Sequence, residues 1–464
     1  MSASSDLNPG IAPALPPGLA ASLRHQIESG QLRPGTRLEP LRQASARLGL
    51  TPHAVLTAYR ELVDAGLAEP RHGSGFYVSG SHRAPDPALS GPGLDRLLDT
   101  ALLIRGFVEP SALLKCGSGV LPREWLAGLG LQRHVRAVAG QQGGCLYDYG
   151  SALGYPPLRE ALQRRLARRR IVCGPDQVLL TAGITQGLEL VIQGLCRPGD
   201  TVLVERPGYY NLFGLLQVSG LRPLAVPRTP QGPDLDALEA LLRSGETPRV
   251  FFLQSLLHNP TGGDLGPAAA HRLLLLAERH GFLIAEDDAY ADLAEDGDLR
   301  LAALDGWRRV VYLSGFTKTV SAGLRVGYVA GAGPVVEALA RAKLLTSIAS
   351  SEFVERVVHR VLLEGYDRFA AGLRSRLAAA QEAWQADLEQ AGWDLFPGPR
   401  RGMFVWASHP RWPDSAALAR AAAAAGFWLA PGSAFDPDHA RSPWVRFNVA
   451  YRSPALAAWL KAVR

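Results

Sequence analysis

From about residue 113 to the end, the sequence alternates short apolar runs with longer helix-like stretches. Five runs are flanked by turn residues: DQVLLTAG, DTVLVERPGY, RVFFLQS, GFLIAEDD and RVVYLSG. Stretches such as ITQGLELVIQGL and AAAHRLLLLAERHG separate them and have helical spacing. Because near-continuous apolar strands need cover on both faces, this alternation predicts an α/β fold with a large, mostly parallel sheet between helices. The end of the chain, with WDLFPGPRRGMFVWAS and WVRFNVAY, predicts a smaller α+β lobe, mainly over residues 365–464.

A separate unit is expected over residues 12–80. LAASLRHQIESG and PLRQASARLG have helical spacing, and each stops at a glycine. TPHAVLTAYRELVDAG follows, with Thr51 as N-cap and Pro52 at the first helical position. LAEPRHGSGFYVSG predicts a two-stranded ribbon that turns at residues 73–75. Three helices followed by a ribbon indicate an N-terminal winged helix-turn-helix.

The remaining features bound the class of protein. Residues 81–112 are expected to form a linker with one short helix in LDRLLDTALLIRGF, because GSHRAPDPALSGPG is rich in Gly, Pro and Ser. The four cysteines are far apart and form no CxxC pair, which argues against a metal site or a disulfide framework. No signal-peptide pattern and no membrane-spanning apolar run is evident, so we expect a soluble cytoplasmic protein. The three arginines at residues 168–170 are predicted to form a solvated helix end.

Polar residues that suit one chemistry follow the apolar runs of residues 113–464. Ligands of such sheets collect at the carboxyl ends of the strands. A lysine there can form a Schiff base with an aldehyde, and an aspartate can keep a pyridine nitrogen protonated. Asn and Tyr can bind a phenolate oxygen, an aromatic ring can stack, and an arginine with helix amides can hold a phosphate. Together these residue types describe a site for pyridoxal 5'-phosphate, PLP.

Residues 113–464 resemble the fold type I PLP-dependent aminotransferases. The motifs that carry this resemblance are SGFTKTVSAGLRVGY, HNPTGG, EDDAYADL, ERPGYY, YGSALGYPPLREAL and WVRFNVAY. The resemblance implies that Lys318 is the Schiff-base lysine and catalytic residue. It further implies that Asp287 pairs with the pyridine nitrogen, that Asn259 and Tyr290 bind the ring hydroxyl, and that the ring of Tyr209 stacks on the cofactor.

The same resemblance implies the remaining contacts. The phosphate would be held by Arg325 and by the backbone amides of Ile184 and Thr185. Tyr149 would reach the phosphate of the partner subunit in a homodimer. Arg446 would bind a substrate α-carboxylate as a bidentate fork.

This chain departs from the family pattern near the phosphate. The family usually has Ser or Thr at the position of Gly315 and often a hydroxyl at the position of Ile184. Both positions still offer their backbone amides to the phosphate, but the two side-chain hydroxyls of the family pattern are absent. Ser314, Thr317 or Thr185 is expected to compensate.

The N-terminal unit resembles the GntR-type winged helix, and a GntR head on an aminotransferase-like body is the architecture of the MocR family of transcription regulators. The GQLRPGTRL stretch and the GSGFYV wing are good matches. The third helix would enter the major groove of operator DNA. The residues that would face DNA are Arg42, Thr51, His53, Arg71, His72 and Gly73.

Two departures from the GntR pattern bear on DNA binding. Pro52 stands where the family commonly has an arginine, and Glu39 puts a negative charge near the expected phosphate. The head could therefore bind DNA weakly, with altered sequence preference, or serve only in packing or dimerisation.

Two functions remain open from the sequence. The first is a PLP-dependent transcription regulator that senses an amino compound, or PLP itself, through an aldimine at Lys318. The alternative is an active aminotransferase for an α-amino acid, with a weak or vestigial DNA-binding head. A purely structural role is disfavoured, because it would not explain the PLP constellation.

Overall fold

The computed structural model describes residues 19–28, 31–33, 35–64, 67–71, 75–79, 105–106, 109, 111–141, 144–398 and 401–463. The chain forms two compact units, Met1–Asp95 and Arg96–Arg464. The expected linker over residues 81–112, with its short helix, lies mostly outside the described residues.

The first unit has the element order that the sequence predicts. Its helices and antiparallel strands are α1 (Leu19–Glu28), α2 (Leu41–Leu48), α3 (Pro52–Asp64), β1 (Ala68–Arg71) and β2 (Gly75–Val78). Thr51 caps α3, because its Oγ1 accepts the backbone N–H of Ala54 at 3.2 Å. Apolar side chains from the three helices and both strands share one core, as a winged helix-turn-helix requires.

The second unit is built on a large mixed sheet. Its strands are β3 (Val178–Thr181), β4 (Thr201–Arg206), β5 (Arg222–Thr229), β6 (Gly232–Pro233), β7 (Val250–Leu253), β8 (Leu283–Asp288), β9 (Val310–Gly315) and β10 (Gly327–Ala330). They lie in the order β3-β10-β9-β8-β7-β4-β5-β6. The run from β9 to β5 is parallel, whereas β10 is antiparallel to both of its neighbours and β6 is antiparallel to β5. All five predicted strands are present, and the sheet is mostly parallel as expected.

Helices cover both faces of this sheet. Among the described residues of the second unit, the helices are α4 (Arg123–Leu126), α5 (Leu131–Ala139), α6 (Pro156–Arg168), α7 (Ile184–Leu195), α8 (Tyr210–Val218), α9 (Leu235–Arg243), α10 (Pro267–His280), α11 (Leu301–Asp305), α12 (Gly333–Ser347), α13 (Glu352–Leu363), α14 (Tyr366–Gln390), α15 (Ser415–Ala424) and α16 (Pro454–Ala462). Successive side chains of a strand point to opposite faces, so Phe251 of β7 packs with α6, α9, α10 and α13, and Phe252 packs with α7, α8 and α12. Both faces are therefore buried, as the near-continuous apolar runs predict.

The smaller lobe is formed around an antiparallel sheet. Its strands, in the order β11-β12-β14-β13, are β11 (Asp394–Leu395), β12 (Phe404–Ser408), β13 (Ala430–Pro431) and β14 (Trp444–Asn448). The long helix α14 leads into this lobe. A segment from the start of the unit joins it, because the backbone N–H of Gly117 donates to Trp428 O at 2.8 Å.

Three features differ from the sequence predictions. Strand β5 was missed because it contains two prolines, which remove ladder donors and count against a strand. Strand β10 was missed because it begins with one glycine and is followed by another, and glycine counts against a strand. The prediction of a solvated helix end at residues 168–170 is wrong for Arg169, which is buried and paired with the buried carboxylate of Asp292.

Candidate cofactor-binding site and DNA-binding surface

One cavity lies at the carboxyl ends of four parallel strands. Tyr209 follows β4, Asn259 follows β7, Asp287 lies near the end of β8, and Lys318 follows β9. The cavity is lined by Ile184, Thr185, Tyr209, Gln254, Asn259, Asp287, Ala289, Tyr290, Gly315, Thr317, Lys318 and Arg325. The fold thus brings together the predicted cofactor-binding residues other than Tyr149, at the edge where such sheets bind ligands.

Lys318 has the electrostatic environment of a reactive amine. Burial, and next the positive charge of Arg446, lowers the pKa of Lys318 to about 8, against the opposing effect of Asp287. The unprotonated amine that attacks a carbonyl is therefore more populated near neutral pH than in an ordinary lysine. A Cβ added at Gly119 would lie 3.9 Å from Lys318 Nζ, an ordinary contact distance, so this glycine lies beside the amine.

Three consecutive carboxylates close β8 and alternate between two environments. Glu286 accepts the backbone N–H of Leu301 at the start of α11, at 2.8 Å. Asp288 accepts from Arg300 Nε at 2.7 Å in a fully buried ion pair. Asp287 lies between them and points to the opposite face, into the cavity. The strand period therefore selects one of the three acids for the site.

Asp287 has one oxygen that is satisfied and one that is not. Its Oδ2 accepts from Gln254 Nε2 at 3.1 Å, whereas its buried Oδ1 has no hydrogen-bond partner among the described residues. Burial, and next the charge of Asp288, raises the pKa of Asp287 to about 7. A cationic ring N–H at Oδ1 would satisfy this atom and favour the ionised carboxylate. The residue therefore fits the pyridine nitrogen of PLP.

The expected partners of the ring hydroxyl and ring face lie in the same cavity. Asn259 is buried, and its Oδ1 accepts from Arg446 Nη1 at 2.7 Å, which leaves its amide N–H groups as donors. Tyr290 is buried and packs edge-on against Phe404, with ring centroids 5.6 Å apart. Tyr209 is partly buried on the same cavity.

The other end of the cavity is rich in hydrogen-bond donors. Helix α7 begins at Ile184, so its first backbone amides have no acceptor within the helix and favour an anion. Arg325 lies beside them in the left-handed conformation, with φ +52°, and its Nη1 donates to Thr317 Oγ1 at 3.2 Å. A Cβ added at Gly183 would come within 2.5 Å of Arg325 Nη2, so a side chain at this position would collide with the guanidinium. This end fits the phosphate of PLP.

The residues expected to replace the missing hydroxyls divide into two groups. Thr185 and Thr317 line the cavity. Ser314 is wrong as a candidate, because its Oγ donates to Asp288 O at 2.9 Å and does not line the cavity. Its position on β9 turns it toward the face opposite the site.

Arg446 and Tyr149 do not line the cavity. Arg446 is fully buried on β14, with its Nη2 donating to Gly117 O at 2.5 Å and its guanidinium 4.5 Å from the ring centroid of Phe404. A Cβ added at Gly119 would lie 3.7 Å from this Nη2, so Arg446 is close to the amine of Lys318. Tyr149 is 80% exposed and lies outside the cavity, as a residue that serves a partner subunit would. The roles of both residues stay predictions.

The described part of the predicted DNA-binding surface is open to solvent. Arg42 is exposed at the start of α2, and Thr51 and His53 are exposed at the start of α3. Glu39 is ion-paired with Arg47, whose Nε and Nη2 donate to Glu39 Oε2 at 2.9 and 2.8 Å. The negative charge expected to oppose a DNA phosphate is therefore neutralised within the domain. The other predicted contacts fall outside the described side chains: Arg71, His72 and Gly73.

One polar residue of the cavity was not predicted. Gln254 follows β7 and bonds to Asp287. The sequence pattern that could have indicated Gln254 is its position as the polar residue directly after the apolar run RVFFL, at the same sheet edge as the other site residues.

The described residues contain no cluster of three or more His, Cys, Asp or Glu side chains that could hold a metal ion. Within them, no helix has both the length and the apolar character needed to cross a membrane.

Comparison with known proteins matches both units to families. Residues 117–459 match aminotransferase class I and II, and residues 18–78 match the bacterial regulatory proteins of the gntR family. The chain is 30% identical to the uncharacterized HTH-type transcriptional regulator YdcR of Escherichia coli, over 94% of both chains. It is 28% identical to the probable rhizopine catabolism regulatory protein MocR of Rhizobium meliloti, over 77% of this chain and 73% of that protein.

A solved structure matches most of the chain. The crystal structure of LysN, an α-aminoadipate aminotransferase from Thermus thermophilus in complex with N-(5'-phosphopyridoxyl)-L-leucine, matches with a TM-score of 0.72 and 27% identity. The match covers 82% of this chain and 99% of LysN. The two family matches agree with the fold and with the order of the two units. The chain therefore belongs to the MocR-type transcription regulators, in which a GntR-family DNA-binding domain precedes a fold type I domain of the aminotransferase class I and II family.

Proposed function

We propose that the protein is a PLP-dependent transcription regulator that binds operator DNA through its winged helix and senses an amino compound, or PLP itself, at Lys318. The observation that carries this proposal is the pairing of two features in one chain. The cavity has a buried, unsatisfied Asp287 oxygen and a donor-rich opposite end that suit PLP, and the start of α3 is exposed. PLP would supply an aldehyde that forms a Schiff base with Lys318 and a ring that withdraws electrons.

The residues of the cavity would hold the cofactor and the effector at separate points. Asp287 would hold the ring nitrogen, and Arg325 with the amides of α7 would hold the phosphate. Arg446 would bind the α-carboxylate of an amino-acid effector, close to the Lys318 amine. Such an effector changes DNA binding only if the DNA-bound and free states differ in their affinity for it.

We also propose that the regulator is a homodimer in which Tyr149 serves the cofactor of the partner subunit. Tyr147 and Tyr149 are 89% and 80% exposed, and Leu345 is 88% exposed. Tyrosine is enriched in protein–protein interfaces, which supports a partner at this part of the chain.

Fluorescence anisotropy with the DNA upstream of the protein's own gene, and then of neighbouring genes, tests the regulator. Scrambled DNA is the reference, and each titration is run at low and physiological salt, with and without PLP. Arg42→Ala is the test variant, because Arg42 is exposed in α2 and is one of the predicted DNA contacts. Arg24→Ala in α1 is the matched control, an exposed arginine outside that surface. Loss of one phosphate contact should reduce the slope of log K against log salt by about one unit in the first variant only.

The outcomes separate the two functions. Specific binding at physiological salt, weakened by Arg42→Ala and not by Arg24→Ala, is the expected result. Binding no tighter than to scrambled DNA for every neighbouring region tested, with or without PLP, would remove the regulator from consideration.

A second function is favoured by the completeness of the cavity. Lys318, Asp287, Asn259 and Tyr290 line it together, and the similar LysN structure is that of an aminotransferase. An active enzyme would use the freed Lys318 amine as the general base of the proton shift. Keto-acid formation from an amino-acid donor, absent in Lys318→Ala, would establish transamination; no turnover with any donor in PLP-loaded protein would reject it.

A further inference from the structure

We propose that Gln254 is the positioning residue that fixes, through one side-chain amide, both groups that would hold the pyridine ring of PLP. This inference rests on the proposed cofactor. Gln254 directly follows β7 and is 5% exposed, and it lines the cavity between the two groups that it contacts. No role for Gln254 follows from the sequence motifs.

The two ends of the Gln254 amide contact different partners. Its Nε2 donates to Asp287 Oδ2 at 3.1 Å. Its Oε1 accepts the backbone N–H of Asn259 at 2.8 Å. An ionised carboxylate can only accept and a backbone N–H can only donate, so these partners allow a single orientation of the amide. One side chain therefore sets the distance between the expected partners of the ring nitrogen and the ring hydroxyl.

The backbone of Gln254 is itself anchored by a buried ion pair. Its backbone N–H donates to Glu205 Oε2 at 2.8 Å. Glu205 is buried and forms a salt bridge with the buried guanidinium of Arg228. A buried ion pair of this kind fixes the backbone from which the amide extends, because displacing either partner would leave a buried charge uncompensated. The amide therefore acts from a rigid support.

The consequence for Asp287 is electrostatic as well as geometric. A donor at Oδ2 favours the ionised carboxylate and opposes burial and the neighbouring charge of Asp288. With Oδ2 occupied, Oδ1 is the oxygen left without a partner on the described part of the chain. Gln254 thereby selects which oxygen meets a ring N–H, and its hydrogen bond favours the ionised carboxylate against burial and Asp288.

The test uses Gln254→Met in the full-length protein, which keeps the side-chain length but removes both hydrogen bonds. Two probes are titrated by fluorescence and absorbance: PLP, and its deaza analogue in which a C–H replaces the ring nitrogen. The matched control is Gln177→Met. Gln177 also accepts a backbone N–H, from Gly174 at 2.8 Å, and donates to Gly331 O at 3.1 Å, next to the amino end of β3 and away from the cavity.

In Gln254→Met, the dissociation constant for PLP should rise about tenfold more than that for the deaza analogue, because the charge-assisted contact to Asp287 is made only with the ring nitrogen. Gln177→Met should bind both probes as the wild type does. If Gln254→Met does not fold, Gln254→Asn carries the same comparison, since its amide is one methylene too short for both partners.

Equal losses for the two probes would overturn the positioning role and leave Gln254 as a structural residue. Unchanged PLP affinity would overturn it as well. A wild-type protein that binds neither probe would instead remove the proposed cofactor, and the inference with it.

Discussion

A side chain at position 315 would compete with Ile184 for the same space near the expected phosphate. The effects of substitutions at these two positions on the free energy of unfolding should therefore be coupled. A Cβ at Gly315 would lie 3.0 Å from Gly327 Cα and from Val326 O, and 3.3 Å from Ile184 Cγ1. Gly327 is the partner of Gly315 in the pairing of β9 with β10, so the backbone can yield only by separating these strands. Overpacking a buried site of this kind costs about 1–3 kcal/mol, and we expect Gly315→Ala to lower the free energy of unfolding by that amount.

Ile184→Ala removes one of these three contacts. Alone, it should cost about 2 kcal/mol at most, because the side chain is only partly buried. In the double variant the alanine at 315 no longer meets the isoleucine, so the total loss should be smaller than the sum by about 0.5–1 kcal/mol. The two positions are then energetically coupled, as their shared space implies.

The assay is urea-induced unfolding followed by tryptophan fluorescence. The first of the nine tryptophans is Trp125, so this signal reports on the second unit and not on the winged helix. Gly331→Ala is the matched control, because a Cβ there meets its nearest atom, Val335 Cγ1, at an ordinary 3.8 Å. Losses that add within about 0.3 kcal/mol would refute the shared-space argument. A control variant as unstable as Gly315→Ala would refute it too.

Two further predictions concern buried charge. Lys318→Met should raise the melting temperature of the cofactor-free protein at pH 7, because the pKa of Lys318 is about 8 in the fold against an ordinary 10.5. Between these two values the unfolded chain binds more protons than the folded chain, so the stability of the wild type should rise with pH. Melting curves from pH 7 to 10 should show that the variant lacks the part of this rise that is due to Lys318. Asp292→Asn should lower the free energy of unfolding by about 3–5 kcal/mol, since it breaks a buried pairing with Arg165 and Arg169. Burial alone would raise the pKa of Asp292, but the charges of Arg165 and Arg169 outweigh it and hold the pKa well below its usual range. The contribution is therefore present above the unfolded pKa of about 4 and is lost as pH falls below it, so urea unfolding at pH 3–7 should show a weaker acid dependence in the variant; an unchanged dependence would contradict this reasoning.

The sheet and most of the cavity could be predicted from the sequence because each depends on a local pattern. Strands buried on both faces must be apolar throughout, and the five long runs show this directly. Lys318 stands out because the chain has only four lysines and an arginine cannot form a Schiff base. Among three adjacent acids, the resemblance to the aminotransferases points to Asp287, and the two-residue period of a strand explains why its two neighbours face away from the cavity.

The features that escaped prediction depend on contacts between distant segments. Arg169 is buried because Asp292, more than a hundred residues later, is buried beside it. Lys343 is fully buried because its amine donates to Ala152 O, Leu180 O and Ser350 Oγ at 2.9–3.0 Å. Charged residues are almost never buried without partners, so a charge in the sequence indicates an exposed side chain unless its partner is already known.

The same limit applies to the DNA-binding surface. In the sequence, Glu39 and Pro52 both predict weaker DNA binding, but in the structure only Glu39 has a compensating partner. Glu39 adds a charge that Arg47 compensates from eight residues away, so the pair brings no net negative charge to the start of α3. An exposed ion pair is worth about 0–1 kcal/mol, so it constrains the fold little and serves mainly to cancel that charge. Pro52 has no such compensation, because a proline in the first turn supplies neither a side-chain donor nor a backbone N–H. Any weakening of DNA binding should therefore be sought at Pro52, and Pro52→Arg should strengthen binding more than Glu39→Gln does.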